Sequence, residues 1–87
     1  MQQIQQQVKD QTDAIAVLEK AAQKLPGSGV LRWRLAMAYH VRAALREDNR
    51  NDYKIAISHY VAAIKLNSGL DVPAVQEKIA ACENYSR

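Results

Sequence analysis

Residues 30–46, VLRWRLAMAYHVRAALR, show the clearest helical pattern in the chain. A stripe with steps of four and three residues runs through them and consists of Leu31, Leu35, Ala38, Arg42 and Leu45. Arg42 is its one polar member, and the aliphatic stem of an arginine can lie along an apolar surface while the guanidinium stays outside. The spacing gives an α-helix one apolar face, so it predicts a helix over about residues 30–46.

The first segment, residues 2–25, precedes this helix and has a stripe of its own. The stripe consists of Ile4, Val8, Gln11, Ile15, Leu18, Ala22 and Leu25. Its steps alternate between four and three residues, which predicts one continuous helix. Thr12 or Asp13 could cap a helix, so two helices that meet near Gln11 are the alternative.

Two more segments with helical spacing follow, at about residues 52–66 and 72–85. Asp52 is expected to cap the first of them, and Pro73 fits the first turn of the second, where its missing N–H is harmless. No stretch alternates between apolar and polar residues for long enough to form a strand. The sequence therefore predicts an all-α fold of four helices, whose short loops make neighbouring helices antiparallel.

Three breaks separate the predicted helices. They are Pro26-Gly27-Ser28-Gly29, the polar run at 46–52, and Asn67-Ser68-Gly69. Proline cannot continue a helix, and glycine provides the positive φ that often follows a helix C-terminus. We therefore expect the chain to turn at each break, with positive φ at the glycines.

Composition is typical of a small globular domain. The chain has 87 residues, of which 48% are apolar and 24% charged, so one domain is expected. No apolar run approaches about 18 residues, and the first ten residues lack the apolar core of a signal peptide, so we expect no membrane insertion and a cytoplasmic location. Cys82 is the one cysteine, which excludes an internal disulfide and a cysteine-based zinc site.

One block of the sequence recurs after 42 residues, because residues 13–18 align with residues 55–60. Both copies contain two small residues seven positions apart, namely Ala14 with Ala21 and Ala56 with Ala63. Residues at this spacing share one face of a helix, and alanine there lets a neighbouring helix approach closely. The larger residue between each pair, Leu18 or Tyr60, would fill the remaining gap.

These residues resemble the tetratricopeptide repeat, a pair of antiparallel helices with small residues at fixed positions. Leu35, Ala36 and Tyr39 match the first helix of the family pattern, and Ala56, Tyr60 and Ala63 match the second. Ala14, Leu18, Ala21 and Pro26 match the second helix of a preceding repeat. The resemblance implies a right-handed α-solenoid fragment in which each helix packs on its neighbours in sequence.

Under this resemblance residues 1–87 form one helical domain of about one and a half repeats. Residues 12–26 would be the second helix of a partial repeat, 30–68 a full repeat with an extended inter-helix loop, and 72–85 a following or capping helix. The usual period is about 34 residues, so the period of 42 implies an insertion of eight. Two further departures are Ser68 in place of the closing proline and Glu77 at the position of Leu35.

The resemblance also implies a binding surface, since the first helices of such repeats line a concave face that receives a peptide or a helix. The residues at those positions are Val30, Trp33, Arg34, Met37 and His40. Val30 and Met37 occupy places where the family's two-carboxylate clamp has polar residues, so no such clamp for chaperone tails is predicted. An alternative is that Trp33 and Met37 belong to the core against the first segment.

The net charge of +3 comes entirely from residues 30–54. Arg32, Arg42, Arg46 and Arg50 make this part of the chain a candidate basic patch for RNA. Glu47, Asp48 and Asp52 interrupt the run, so solvated or core-packed arginines are the favoured interpretation, and no nucleic-acid partner is predicted.

Catalysis is not predicted. His40, His59 and Cys82 do not have the spacing of a nucleophile–base pair or of a metal site, so we expect no catalytic residue, no metal and no cofactor. The leading hypothesis is a protein-interaction module that binds another protein or a peptide. The alternative is a structural protein that closes its open ends as a dimer or larger homo-oligomer, because about three repeats are usually needed for a stable array.

Overall fold

Four α-helices make up most of the chain in a computed structural model that describes residues 2–66 and 69–86. They are α1 (Gln2–Lys24), α2 (Gly29–Leu45), α3 (Arg50–Leu66) and α4 (Val72–Tyr85). No strand occurs in these ranges, so the predicted all-α fold is confirmed. Within the same ranges no helix is both long and apolar enough to cross a lipid bilayer.

The first helix is continuous through the position where a break was the alternative. Thr12 Oγ1 donates to the carbonyl of Val8 at 2.9 Å, and Lys9 forms an ion pair with Asp13 at 3.0 Å. Both contacts join residues four apart on one helix face, so the candidate caps stabilise the helix instead of interrupting it. The alternative of two helices that meet near Gln11 is therefore wrong.

Side-chain caps fix the starts of α2 and α4. Ser28 accepts a hydrogen bond from the backbone N–H of Leu31 at 3.2 Å, and Asp71 accepts one from Ala74 at 3.3 Å. Each cap satisfies one N–H of the first helical turn, which has no partner within the helix. Pro73 lies in the first turn of α4, as predicted.

The start of α3 differs from the prediction. Asp52 does not cap this helix, because α3 begins at Arg50 and Asp52 lies inside its first turn with its side chain 6% exposed. Its carboxylate binds Arg42 of α2 instead. Asn49, just before α3, donates its side-chain amide to the carbonyls of Ala43 and Arg46 at 3.0 and 2.8 Å. The loop is thereby tied to the end of α2.

Positive φ was predicted at the glycines of the breaks, and this is wrong for Gly27 and Gly29 in the described part of the chain. The turn after α1 closes through ordinary backbone hydrogen bonds, from Leu25 N–H to Ala21 and from Ser28 N–H to Leu25. The predicted break at Asn67 and Ser68 lies outside the described residues.

Each helix packs against the next one in sequence. Arg42 contacts Asp52 near the start of α3 while His40, earlier in α2, contacts Tyr60, so α2 and α3 run antiparallel. The most extensive interface joins α2 to α3 and is filled by alanine and tyrosine. Its most deeply buried members are Leu35, Ala36, Ala43, Ala56, Tyr60 and Ala63, each at most 1% exposed. The buried alanines let the two helices approach closely, as their seven-residue spacing predicts. The result is a flat molecule of 39 × 29 × 18 Å.

The predicted stripe of α1 is buried only in its middle. Ile15 is 4% exposed, whereas Ile4 and Leu25 near the two ends are 51% and 61% exposed. α1 has 23 residues and its neighbour α2 has 17. At 1.5 Å per residue, α1 is about 9 Å longer than the helix that it packs against, so its ends extend past the contact.

Candidate interaction groove between α2 and α4

The two sides of α2 have different surroundings. With 3.6 residues per turn, Arg32, Leu35, Tyr39 and Arg42 share one side of the helix, called here the network face, which packs against α1 and α3. Val30, Trp33, Met37 and Val41 share the opposite side, called here the groove face. Val30 and Val41 are both 41% exposed, which is high for valine on the central helix of a small domain.

Two neighbouring cavities lie between the groove face and α4, and together they form the groove. The first, of about 260 Å³, is lined by Trp33 of α2 and by Gly69, Leu70, Asp71, Ala74, Val75 and Lys78. The second, of about 280 Å³, is lined by Met37, His40, Val41, Ala44, Leu45, Tyr60 and Lys78. Most of these side chains are apolar, and Lys78 borders both cavities.

Trp33 and Met37 lie at the edge of the groove and also contact the core. Trp33 lines the cavity beside α4. Met37 lies between a shallow recess on the α1 side and the second groove cavity. Both side chains are half-buried and contact the core at one edge. They form the floor of the groove while supporting the core beneath it.

The other three predicted groove residues fall at different places. His40 lines the second groove cavity, and Val30 lies exposed at the first turn of α2. Arg34 is exposed and borders the recess of about 280 Å³ between α1 and α2, with Gln11 and Leu18 on the opposite wall. Arg34 is therefore at the α1 rim of the groove face and not between α2 and α4.

His40 is held by the aromatic side chains of α3. Its Nδ1 lies 3.1 Å from the Tyr60 hydroxyl, and its ring meets the rings of Tyr53 and Tyr60 edge-on at 5.9 and 6.0 Å. Burial, and next the nearby charge of Lys78, lower the pKa of His40 below its ordinary value, so the imidazole is neutral at pH 7.

Lys78 is the groove residue that the sequence analysis missed. It is half-buried on α4, and no carboxylate of the described residues lies within ion-pair distance of its ammonium group. The available signal was a lysine three residues after Val75, next to the apolar stripe of the fourth segment. That signal was weak, because the sequence does not show which side of α4 faces α2.

The network face is occupied by paired polar groups. Tyr39 donates its hydroxyl to Glu19 at 2.8 Å, and its ring stacks on His59 with the centroids 5.7 Å apart. Arg32 donates from Nη1 to His59 Nδ1 at 2.9 Å. Because arginine can only donate, His59 accepts through Nδ1 and is neutral. Burial, and then the charge of Arg32, lower the pKa of His59.

Arg42 and Asp52 form a two-bonded ion pair at the other end of the network face. Arg42 donates from Nε and Nη2 to the two carboxylate oxygens at 2.9 and 2.7 Å, and its guanidinium lies 5.2 Å from the centre of the Tyr39 ring. Arg46 approaches the same carboxylate at 3.6 Å. The charge of Arg42 is therefore neutralised across the α2–α3 interface.

These pairs separate the members of the candidate basic patch. Arg42 and Arg46 bind Asp52, Arg32 binds His59, and Arg50 is exposed at the start of α3. A phosphate backbone would meet arginines whose donors are partly used by the protein itself. This arrangement argues against the RNA hypothesis.

Cys82 does not have the surroundings of a reactive thiol. It is fully buried, and burial raises the pKa of its thiol to about 11, so the thiolate is scarce at pH 7. Among residues 2–66 and 69–86, no three His, Cys, Asp or Glu side chains come together as a metal-binding group.

Comparison of the chain with protein-family models, with curated proteins and with solved structures found no match. The resemblance to the tetratricopeptide repeat therefore depends on the residues quoted for it above.

Proposed function

We propose that the chain is a non-catalytic protein-interaction module, similar to a tetratricopeptide repeat, that binds a peptide segment of another protein in the groove. The observation that carries the proposal is the contrast across α2. On one side Arg32, Tyr39 and Arg42 are hydrogen-bonded to α1 or α3 beside a cavity of about 470 Å³ that Glu19, Arg32 and His59 help to line, whereas the other side exposes apolar side chains above two adjoining cavities. Exposed apolar surface of this kind, bordered by polar residues, is typical of a site that another molecule covers.

The dimensions favour a peptide over a small molecule. Each cavity, at about 260 or 280 Å³, lies below the roughly 300–1,000 Å³ of small-molecule pockets. Each has room for one apolar side chain of a ligand. The groove face extends along most of α2, which has 17 residues and a length of about 25 Å. A peptide can span such a length and place one side chain in each cavity.

The charges at the groove favour an acidic segment. Lys78 borders both cavities, and Arg34 lies outside the groove at the α1 edge of the groove face, and both are basic. Asp71 lines the first cavity and is acidic while it caps α4, so basic residues outnumber acidic ones among the described residues named at this surface. A partner with apolar anchors and a carboxylate is therefore complementary to this surface.

The direct test is selection of binders from a random 12-residue peptide library displayed on phage, followed by affinity measurements with variants. We expect Val41→Gln to weaken the selected peptides about threefold, because burial of the 41% of Val41 that is exposed is worth roughly 0.6 kcal/mol. Val17→Gln is the matched control, since Val17 is 68% exposed on α1 and lies outside the groove. The proposal is wrong if no peptide is selected, or if both variants bind the selected peptides equally well.

Self-association is the second candidate function, and exposed apolar residues on the two outer helices favour it. Ile4 and Val17 of α1, Leu25 directly after it and Tyr85 of α4 are between 51% and 68% exposed. α1 and α4 each have one main packing partner among the described helices. Light scattering after gel filtration, over a range of concentrations, separates the two functions. A stable dimer whose formation is abolished by Val17→Gln would favour assembly through α1.

A further inference from the structure

We propose that the bound segment carries an acidic residue midway between two apolar residues, in the order apolar, any, acidic, any, apolar, and that Lys78 selects the acidic residue. This inference depends on the proposed function, because it names the peptide class that the groove takes. Three observations carry it: the position of Lys78, its lack of an ion pair within the described residues, and the spacing of the two cavities.

Lys78 lies at the junction of the two cavities and borders both. A side chain that enters either cavity must pass close to this lysine. A residue between two anchored apolar residues would lie directly above it. Lys78 is therefore placed to contact the middle of a bound segment and not one of its ends.

Lys78 forms no ion pair within the described part of the chain, and Asp71, which lines the first cavity with it, is not within ion-pair distance. The acidic residues of its own helix, Glu77 and Glu83, are exposed and form no ion pair with it. Its neighbour His40 is neutral at pH 7, because burial and the lysine itself lower the pKa of that imidazole. The Lys78 side chain is half-buried in the groove wall and its ammonium forms no ion pair, so a carboxylate supplied by a ligand would bind it with a charge-assisted hydrogen bond.

The spacing of the cavities sets the spacing of the anchors. Trp33 lines the first cavity and Val41 the second, and eight residues of helix separate them by about 12 Å. In an extended peptide, residues i, i+2 and i+4 share one face, and the outer two lie about 13 Å apart. The outer side chains then match the two cavities, and the middle one falls at Lys78.

The test uses the same 12-residue phage library with three forms of the full chain: the wild type, Lys78→Glu and Lys78→Met. We expect peptides selected by the wild type to carry Asp or Glu between apolar residues two positions away on either side. Lys78→Glu should lower their affinity tenfold or more and should itself select Lys or Arg at the middle position. Lys78→Met keeps most of the aliphatic stem and should lose the preference for an acidic residue while retaining the apolar anchors.

Lys65→Glu is the matched control, because it reverses the charge of an exposed lysine on α3 that borders neither cavity. It should leave the selected peptide sequences unchanged.

The outcomes distinguish this inference from the proposed function on which it depends. Selected peptides that depend on Val41 but show no acidic preference would overturn the role of Lys78. The same holds if they bind Lys78→Glu as tightly as the wild type. In both cases the groove remains the binding site. If no selected peptide depends on Val41, both fall together.

Discussion

The two faces of α2 have different roles in the molecule, because one packs against neighbouring helices and the other leaves apolar side chains exposed. On the network face, the polar groups of Arg32, Tyr39 and Arg42 all bind partners on α1 or α3. On the groove face, Val30 and Val41 are partly exposed, and no described helix covers them. The first face holds three helices in register, whereas the second leaves apolar surface available to a partner.

The difference is informative because the hydrophobic effect alone would bury the valines of the groove face and leave the polar groups of the network face in water. Apolar side chains gain most from burial, and polar ones need a hydrogen bond when they are buried. In the described part of the chain, every buried side-chain nitrogen or oxygen has a partner. The network face therefore forms a specific interface without unpaired polar groups, and the valines left on the other side are available for binding.

The largest expected effect comes from breaking the ion pair of the network face. Asp52→Asn removes the charge that neutralises Arg42, whose side chain is 16% exposed. Removing one partner of a buried pair leaves the other charge uncompensated, so we expect the free energy of unfolding to fall by about 3 kcal/mol. Urea denaturation monitored by circular dichroism measures the change.

Asp48→Asn is the control for this substitution. Asp48 is exposed in the loop before α3 and forms no ion pair within the described residues, so its replacement should change the unfolding free energy by less than about 0.5 kcal/mol. Equal effects of the two substitutions would mean that the Arg42 pair contributes no more than an ordinary surface charge.

The second prediction concerns the free energy of unfolding at acidic pH. It compares His59 of α3, which contacts the network face, with His40 of α2, which lines the groove. His59 is faced by Arg32, Tyr39 and Glu19, and its lowered pKa means that the unfolded chain binds more protons than the folded chain near pH 6. Stability is therefore complete above the ordinary pKa of 6.5 and falls below it, by up to about 1.4 kcal/mol per pH unit for each histidine kept neutral.

His59→Gln should flatten this acid slope more than His40→Gln does. Glutamine can still accept from Arg32 but does not titrate, whereas a protonated His59 would lose its acceptor and face the guanidinium 2.9 Å away. His40 meets a hydroxyl and a more flexible lysine, so its protonation costs less. Unfolding midpoints in urea between pH 5 and 8 measure both slopes, and equal flattening would contradict the distinction.

The sequence predicted the elements well because helical spacing and caps are local. The bounds of α4 match the prediction at 72–85, and Asp71 with Pro73 explains its start. The wrong cap at Asp52 has a tertiary cause, since Arg42 is ten residues away in sequence and reaches the carboxylate only when α3 folds back on α2. A capping preference worth about 1 kcal/mol is outweighed by a two-bonded ion pair.

The candidate site was predictable in part. The position of Trp33, Met37 and His40 along α2 followed from the resemblance, and the structure brings all three to the cavities beside α4. Lys78 was missed because its importance depends on how α4 is rotated about its axis relative to α2. Periodicity gives the apolar face of a helix, but it does not show which edge of that face stays uncovered.

The smallest expected effect is that of Val41→Ala on the groove face, and Val75→Ala on α4 is the same substitution at a buried position. Val75→Ala removes a valine that is 3% exposed and should cost about 1–2 kcal/mol of unfolding free energy. Val41→Ala removes a valine that is 41% exposed. The higher helix propensity of alanine offsets the small loss of burial, so the effect on the unfolding free energy should stay within about 0.5 kcal/mol.

A cost above 1 kcal/mol for Val41→Ala would mean that something already covers the groove in solution. If that cost grows with protein concentration, the cover is a second copy of the chain, because only association makes stability depend on concentration. The groove face would then be an assembly interface and not an open site for a peptide.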